Sequence, residues 1–421
     1  MTSRRNFLRL GAAGSLLGAL GLRGSSSALA RGTGGGSCKL VVMVAYGGWD
    51  PTWTLDPKPD SPEVDWLPGA VQMFGDLPIW THADRPAVTD FFTQWASRTA
   101  VINGISVESL AHESCVKVML TGRLGDDPDL GSHVADELGS SLALPYLALS
   151  PHAKTYGHAA QAGQFGDTNQ LMALATPDFG WPQPGQTAPD AGLSPNAAER
   201  AAINAYLESR GQRMADSPGT ELTNQRMADY LASLRRVEQL QAAARQGGVL
   251  SDYALFEETE APWDHVAGAF AEGLSQVALV QPDLFWDTHG YNASQAEAHE
   301  GFFAGMNAMM AALEAHGILE ETVVLAISEM GRTPRHNSQR GKDHWPWTSA
   351  MVVGPSVRGG RALGHTDEWL KPQPIDLQTG APSADGVTLH SEHVLRAVAE
   401  MVGASNTASR YERDALDALW T

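Results

Sequence analysis

Carboxylates and imidazoles recur where apolar runs of this 421-residue chain end, in four short segments. The first is Ala45-Tyr46-Gly47-Gly48-Trp49-Asp50, where the paired glycines permit a tight exit and Asp50 is the first acid after the run. An Asp in that place is a metal ligand or the cap of a following turn. In the second, Trp286-Asp287-Thr288-His289-Gly290, Asp287 and His289 are two apart, so on an extended segment both side chains point the same way and can share a cation or bond each other. The third, Thr322 to Pro334, is an apolar run ending abruptly in Glu329 and Arg332. A buried carboxylate is unfavourable without a compensating cation, and either a metal or the Arg332 guanidinium could serve Glu329. The fourth is Gly341-Lys342-Asp343-His344-Trp345, in which His344 is a plausible ligand and Asp343 is a second ligand or the group that orients an imidazole. Oxygen and nitrogen donors without Cys suit zinc or manganese, or calcium or magnesium if the imidazoles stand behind the carboxylates.

Elements must bring these segments together. Leu40 to Ala45, Thr99 to Ile102, Val277 to Val280, Thr322 to Ile327 and Ala350 to Val353 are short continuous apolar runs, the pattern of strands buried on both faces. Helix-period segments lie between them, which predicts an α/β fold with a mostly parallel sheet. In such sheets chemistry gathers at loops leaving the carboxyl ends of the strands, and Asp50, Asp287, His289, Glu329 and His344 all fall there. From about 155 to 270 the chain turns to Gln, Ala, Pro and Gly loops with two polar helical stretches, Asn196 to Met214 and Leu222 to Gln246, consistent with an insertion covering the sheet.

In order and spacing, Trp286-Asp287-Thr288-His289, then Ser328-Glu329-Met330-Gly331-Arg332-Thr333-Pro334, Gly341-Lys342-Asp343-His344-Trp345, and Gly354-Pro355 through Gly364-His365-Thr366-Asp367 resemble the domain-of-unknown-function 1501 family. That family is placed in the alkaline-phosphatase-like superfamily with sulfatases and phosphoglycerate mutases. The resemblance spans roughly residues 38 to 403 and implies a three-layer sandwich with a mostly parallel central sheet and a helical and loop insertion. It further implies that Asp50 is the first-strand metal Asp, that Asp287, His289 and His344 ligate one metal, and that Glu329 stands where sulfatases carry the second-metal acid.

Superfamily hydrolases also carry a nucleophile at a helix start. The segment His112 to Arg123 ends in Thr-Gly-Arg like the sulfatase signature, and counting back sets His112 where a hydroxyl or thiol would be expected. Three readings stay open. His112 is a nucleophile or ligand; Ser114, turned roughly 200° around the helix from it, is a shifted nucleophile; or no side chain attacks and a metal-activated water does.

Residues 1–30 carry Arg4-Arg5-Asn6-Phe7-Leu8, a short apolar stretch from Leu10 to Leu22 and Ala28-Leu29-Ala30, the sequence of a twin-arginine signal peptide. Residues 31–37 form a Gly-rich lead-in, 38–403 the domain and 404–421 a C-terminal tail. The expected location is periplasmic or secreted, with the twin-arginine translocase as the export partner and no stable membrane anchor. Removing the signal takes four arginines and no acid, so the formal charge of −19 becomes −23. A chain this acidic is a poor partner for nucleic acid or an anionic membrane. Cys38 and Cys115 are the only cysteines, too few for a disulfide framework, and nothing in the sequence brings the two together.

Two functions fit. One is an exported metal-dependent hydrolase of small anionic phosphate or sulfate esters, with two divalent cations and Arg332 or Lys342 gripping the anionic oxygens. The other is a non-catalytic exported binding or assembly protein that keeps the fold and a structural metal.

Overall fold

The computed structural model describes residues 38–65, 67–158, 162–164, 195–217, 219–246 and 262–420; the signal peptide and lead-in lie outside them. Among the described residues fourteen strands run in chain order: β1 (Lys39–Ala45), β2 (Ala70–Phe74), β3 (Leu77–Thr81), β4 (Thr99–Ser106), β5 (Tyr146–Leu149), β6 (Ala162–Gln164), β7 (Val277–Val280), β8 (Thr322–Ser328), β9 (Gly331–Arg332), β10 (His344–Trp345), β11 (Trp347–Val353), β12 (Arg361–Leu363), β13 (His365–Thr366) and β14 (Pro372–Gln373). Eight of them form one sheet in the order β12-β4-β11-β8-β1-β7-β5-β6. All its strands run parallel except β11, which lies antiparallel between β4 and β8.

The apolar runs are continuous because the sheet is covered on both faces. Along β1, Val41, Met43 and Ala45 join one core and Leu40, Val42 and Val44 the other. Burying each larger aliphatic side chain contributes about 1.5–3 kcal/mol. Helices Pro86–Trp95, Trp263–Ala271 and Gln295–Ala315 bury their apolar faces in the first core. Helices His112–Thr121, Leu130–Gly139 and Ser391–Met401 do so in the second. The result is the α/β three-layer architecture with a mostly parallel sheet. Its one antiparallel strand was beyond the reach of the sequence, since Ala350 to Val353 has the same apolar pattern in either direction.

The two polar helices of the middle region are Ala197–Ala215, capped by a reciprocal Asn196–Glu199 box, and Glu221–Gln246. The second buries Val237 and Leu240, and Arg236 and Gln239 donate to the carbonyls of Ser140 and Ser141. At the other end, the stretch after 404 set apart as a tail buries Tyr411, Leu416, Ala418 and Leu419 in the second core. Cys38 and Cys115 are both free thiols. Among the described residues no helix is long and apolar enough to cross a membrane.

Candidate metal centre

Past β1 the chain turns through Gly47 and Gly48 at φ +122° and +81°, backbone that L side chains rarely adopt, and a Cβ on Gly47 would stand 2.8 Å from Trp286 Cβ. This tight exit lets both glycine amides face Glu329, the first residue beyond the adjacent strand β8. Gly47 N–H donates to Glu329 Oε1 at 2.8 Å and Gly48 N–H to Oε2 at 3.3 Å, with the Ser328 hydroxyl also donating to Oε2. Glu329 is fully buried, and these donors replace the water it has lost.

His112 opens the helix His112–Thr121, and its Nδ1 lies 2.7 Å from Glu329 Oε1. Its Nε2 is buried, makes no hydrogen bond, and lies 3.5 Å from Asp287 Oδ1. His289 Nδ1 is 2.8 Å from Asp343 Oδ1, and its Nε2 is 3.2 Å from the same Asp287 oxygen. His344, held by the two-residue pairing of β10 with β9, sets Nδ1 2.6 Å from the Leu110 carbonyl and Nε2 3.3 Å from Asp287 Oδ1. Glu329, Asp343 and a carbonyl accept, so each Nδ1 donates to its partner and each Nε2 is the ring nitrogen turned toward Asp287. The Nε2 atoms of His289 and His344 are 2.9 Å apart, a repulsive contact of two lone pairs unless a cation or a proton joins them. His112, Asp287 and His344 offer ligand atoms all within 4.8 Å of one another.

Charge tunes the cluster. The hydrogen bond to Glu329 holds His112 above the usual histidine range despite burial. Burial alone would raise the Asp287 carboxyl, but Arg332 and His344 outweigh it and hold it low. His344 is lowered by burial, and Asp343 is lowered by its bond to His289.

Two residues take partners that the sequence leaves open. Glu329 does not pair with Arg332, three residues away. The buried guanidinium turns back instead, donating to Asp287 Oδ1 at 2.6 Å and to the carbonyls of Gly47, Gly48 and Lys342. Lys342 does not face the cluster either: its ammonium is buried 2.6 Å from Asp50 Oδ2. Asp50 also accepts from Thr52 and Asn292, capping the turn Pro51–Trp53, so its carboxylate stays apart from the imidazoles. The Arg332 guanidinium is therefore committed to protein groups, and the buried Lys342 ammonium lies against Asp50 as an ion pair without a well-aligned hydrogen bond. Ser114, half-buried, has no hydrogen bond to the cluster among the described residues.

Several residues around the centre carry no sequence signal. Gln295 ties the exits of β1 and β7 together, donating to the carbonyls of Gly48 and Trp286 while accepting from Asp50 N–H at 2.6 Å. Asn337 donates to the His289 carbonyl and to Asp343. Tyr46 stacks on His152 at 3.8 Å between ring centres beside His112. A Gln, an Asn or a lone Tyr–His contact is ordinary in a chain of this length; only the fold gives these positions meaning.

Beneath the centre His299 is fully buried, near Thr54 Oγ1 and the Asp50 carbonyl, and desolvation with the nearby Arg85 pushes it down to about 3. It stays neutral when folded, whereas the unfolded chain takes up a proton near pH 6.5. Its contribution to stability is therefore lost as pH falls below about 6.5, by about 1.4 kcal/mol per pH unit until about pH 3. Thermal unfolding at pH 7.5, 6 and 5 should show a steeper decline for the native protein than for His299→Gln; equal slopes would refute the assignment.

Residues 38–373 match the family described as a protein of unknown function, DUF1501. The chain belongs to that family. No curated protein matches this DUF1501 member. Among solved structures it is similar to Ps i-CgsB, at 10% identity and TM-score 0.39 over 91% of this chain and 75% of that one. It is also similar to the PsFucS1 sulfatase from Pseudoalteromonas sp., at 11% and 0.34 over 79% and 65%. The phosphonate monoester hydrolase of Agrobacterium radiobacter is similar at 11% and 0.31 over 87% and 74%. Overlaps this loose leave the chemistry to be read from the DUF1501 chain's own residues.

Proposed function

We propose that this protein is an exported metal-dependent hydrolase of small phosphate or sulfate esters, and that His112, Asp287, His289 and His344 hold a divalent cation, zinc or manganese. One observation carries the reading: three imidazoles commit Nδ1 to acceptors and turn their Nε2 atoms onto one carboxylate oxygen. Histidine ligands are held in this way by outer carboxylates and carbonyls, and the unbonded, buried Nε2 of His112 is accounted for by a cation. The donor set fits zinc or manganese better than calcium.

When bound, the cation would polarise an ester oxygen and acidify water. The protein groups supply the rest. Glu329, Asp343 and the Leu110 carbonyl fix the rings, and Arg332 fixes Asp287. The helix beginning at His112 has no side-chain cap, so its first-turn amides favour an anion beside the centre. Asp287 and His289 are each about two-fifths exposed, so the cluster opens to solvent as a catalytic centre must. With Nδ1 spent on Glu329 and Nε2 facing Asp287, His112 serves as a ligand in this reading rather than as a nucleophile. Export by the twin-arginine route rests on residues 1–30 alone; it would deliver a folded, loaded protein to the periplasm or beyond.

The test is elemental analysis of protein purified after export without chelator, followed by a panel of aryl and sugar phosphates and sulfates. Bound zinc or manganese with turnover abolished by chelation is the expected result. Bound metal without turnover across the panel would favour the non-catalytic binding protein, and protein free of metal would sink the centre itself.

A further inference from the structure

A centre resembling two-metal hydrolases would seat its second cation between the buried acids ending β1 and β8, Asp50 and Glu329. Here neither acid is available. Asp50 Oδ1 accepts from Thr52 N–H at 3.1 Å and its hydroxyl at 2.6 Å, while Oδ2 accepts from Asn292 and faces the Lys342 ammonium at 2.6 Å. Both Asp50 and Lys342 are fully buried. Glu329 spends Oε1 on Gly47 N–H and His112, and Oε2 on Gly48 N–H and the Ser328 hydroxyl. The Arg332 guanidinium, also fully buried, is bonded to the Gly47 and Gly48 carbonyls and to Asp287.

We infer that this protein is a single-cation centre in which Lys342 and Arg332 are fixed protein charges standing in for a second metal ion. The inference rests on the reading that the histidine cluster holds the first. Charge balance points the same way. The four carboxylates of Asp50, Asp287, Glu329 and Asp343 against the two cations Lys342 and Arg332 leave two net negative charges. One divalent cation balances them. Two would leave two uncompensated positive charges in a largely buried site.

The exported mature protein, stripped and then saturated separately with zinc and with manganese, is dialysed and its metal content measured by elemental analysis and native mass spectrometry. One equivalent per chain is expected, and the same single equivalent in the double variant Asp50→Asn/Lys342→Met, whose charges are removed as a pair. Two equivalents in the native protein would overturn the single-cation assignment while leaving the histidine centre intact. Loss of metal from a folded double variant would also overturn it, because Asp50 would then be a ligand. No bound metal in the native protein would bring down the histidine centre and this inference together, so the failures are distinguishable. The native count decides the matter even if the double variant does not fold.

Discussion

Asp287→Ala should abolish metal binding and bring ester turnover down to that of chelated protein. Asp287 Oδ1 is where three imidazole Nε2 atoms and the Arg332 guanidinium converge, so the substitution removes the one negative charge that, among the described residues, contacts all of them. Without it a cation would meet three imidazoles and the fixed positive charge of Arg332. The loss should exceed the roughly 10–100-fold that follows from changing a group that merely orients a ligand. Asp343→Asn supplies that comparison, since Asp343 touches the cluster only through His289 Nδ1 and is more than half exposed. Metal titration followed by kinetics should rank native, Asp343→Asn and Asp287→Ala in that order. Full metal content in Asp287→Ala would end the proposal.

Lys342→Met should be the most destabilising single change near the centre, at about 3–5 kcal/mol, because it leaves the buried Asp50 carboxylate without a counter-charge. Thr52 and Asn292 would still donate to it, but hydrogen bonds do not neutralise a charge in that environment. Removing both charges in Asp50→Asn/Lys342→Met should recover most of the loss, as buried ion pairs often yield to uncharged groups of similar volume. Denaturant unfolding of the native protein, Lys342→Met, Asp50→Asn and the double variant measures the coupling directly. A single variant as stable as the native protein would mean that the pair is solvated and holds no exposed-acid penalty in check.

The strands that position the centre were legible because a fully covered sheet demands continuous apolar runs, and Leu40 to Ala45 or Thr322 to Ile327 have few other uses. The placement of acids and imidazoles just past those runs followed from the direction of parallel strands. Which cation each acid meets was not legible. Glu329 and Arg332 are near in sequence, yet the two-residue strand β9 carries the guanidinium away to Asp287 while the amides of Gly47 and Gly48 take Glu329. Lys342 next to Asp343 and His344 gave no hint that it would turn inward to Asp50. Partner choice among like charges is decided by tertiary approach, which spacing along one chain does not encode.

β1 sits in the middle of the sheet with Leu40 opposite Val277 on one side and Lys39 opposite Thr322 on the other. The first strand made is thus hydrogen-bonded only to strands that arrive after most of the chain has been synthesised. Loop closure over such separations is slow and leaves an apolar, β-prone segment waiting. A growing chain therefore has no complete Asp287 cluster until residue 344 is in place, and under the proposed function metal loading would be a late, whole-molecule event. Truncated or stalled chains would expose Lys39–Ala45 and aggregate before they could bind anything.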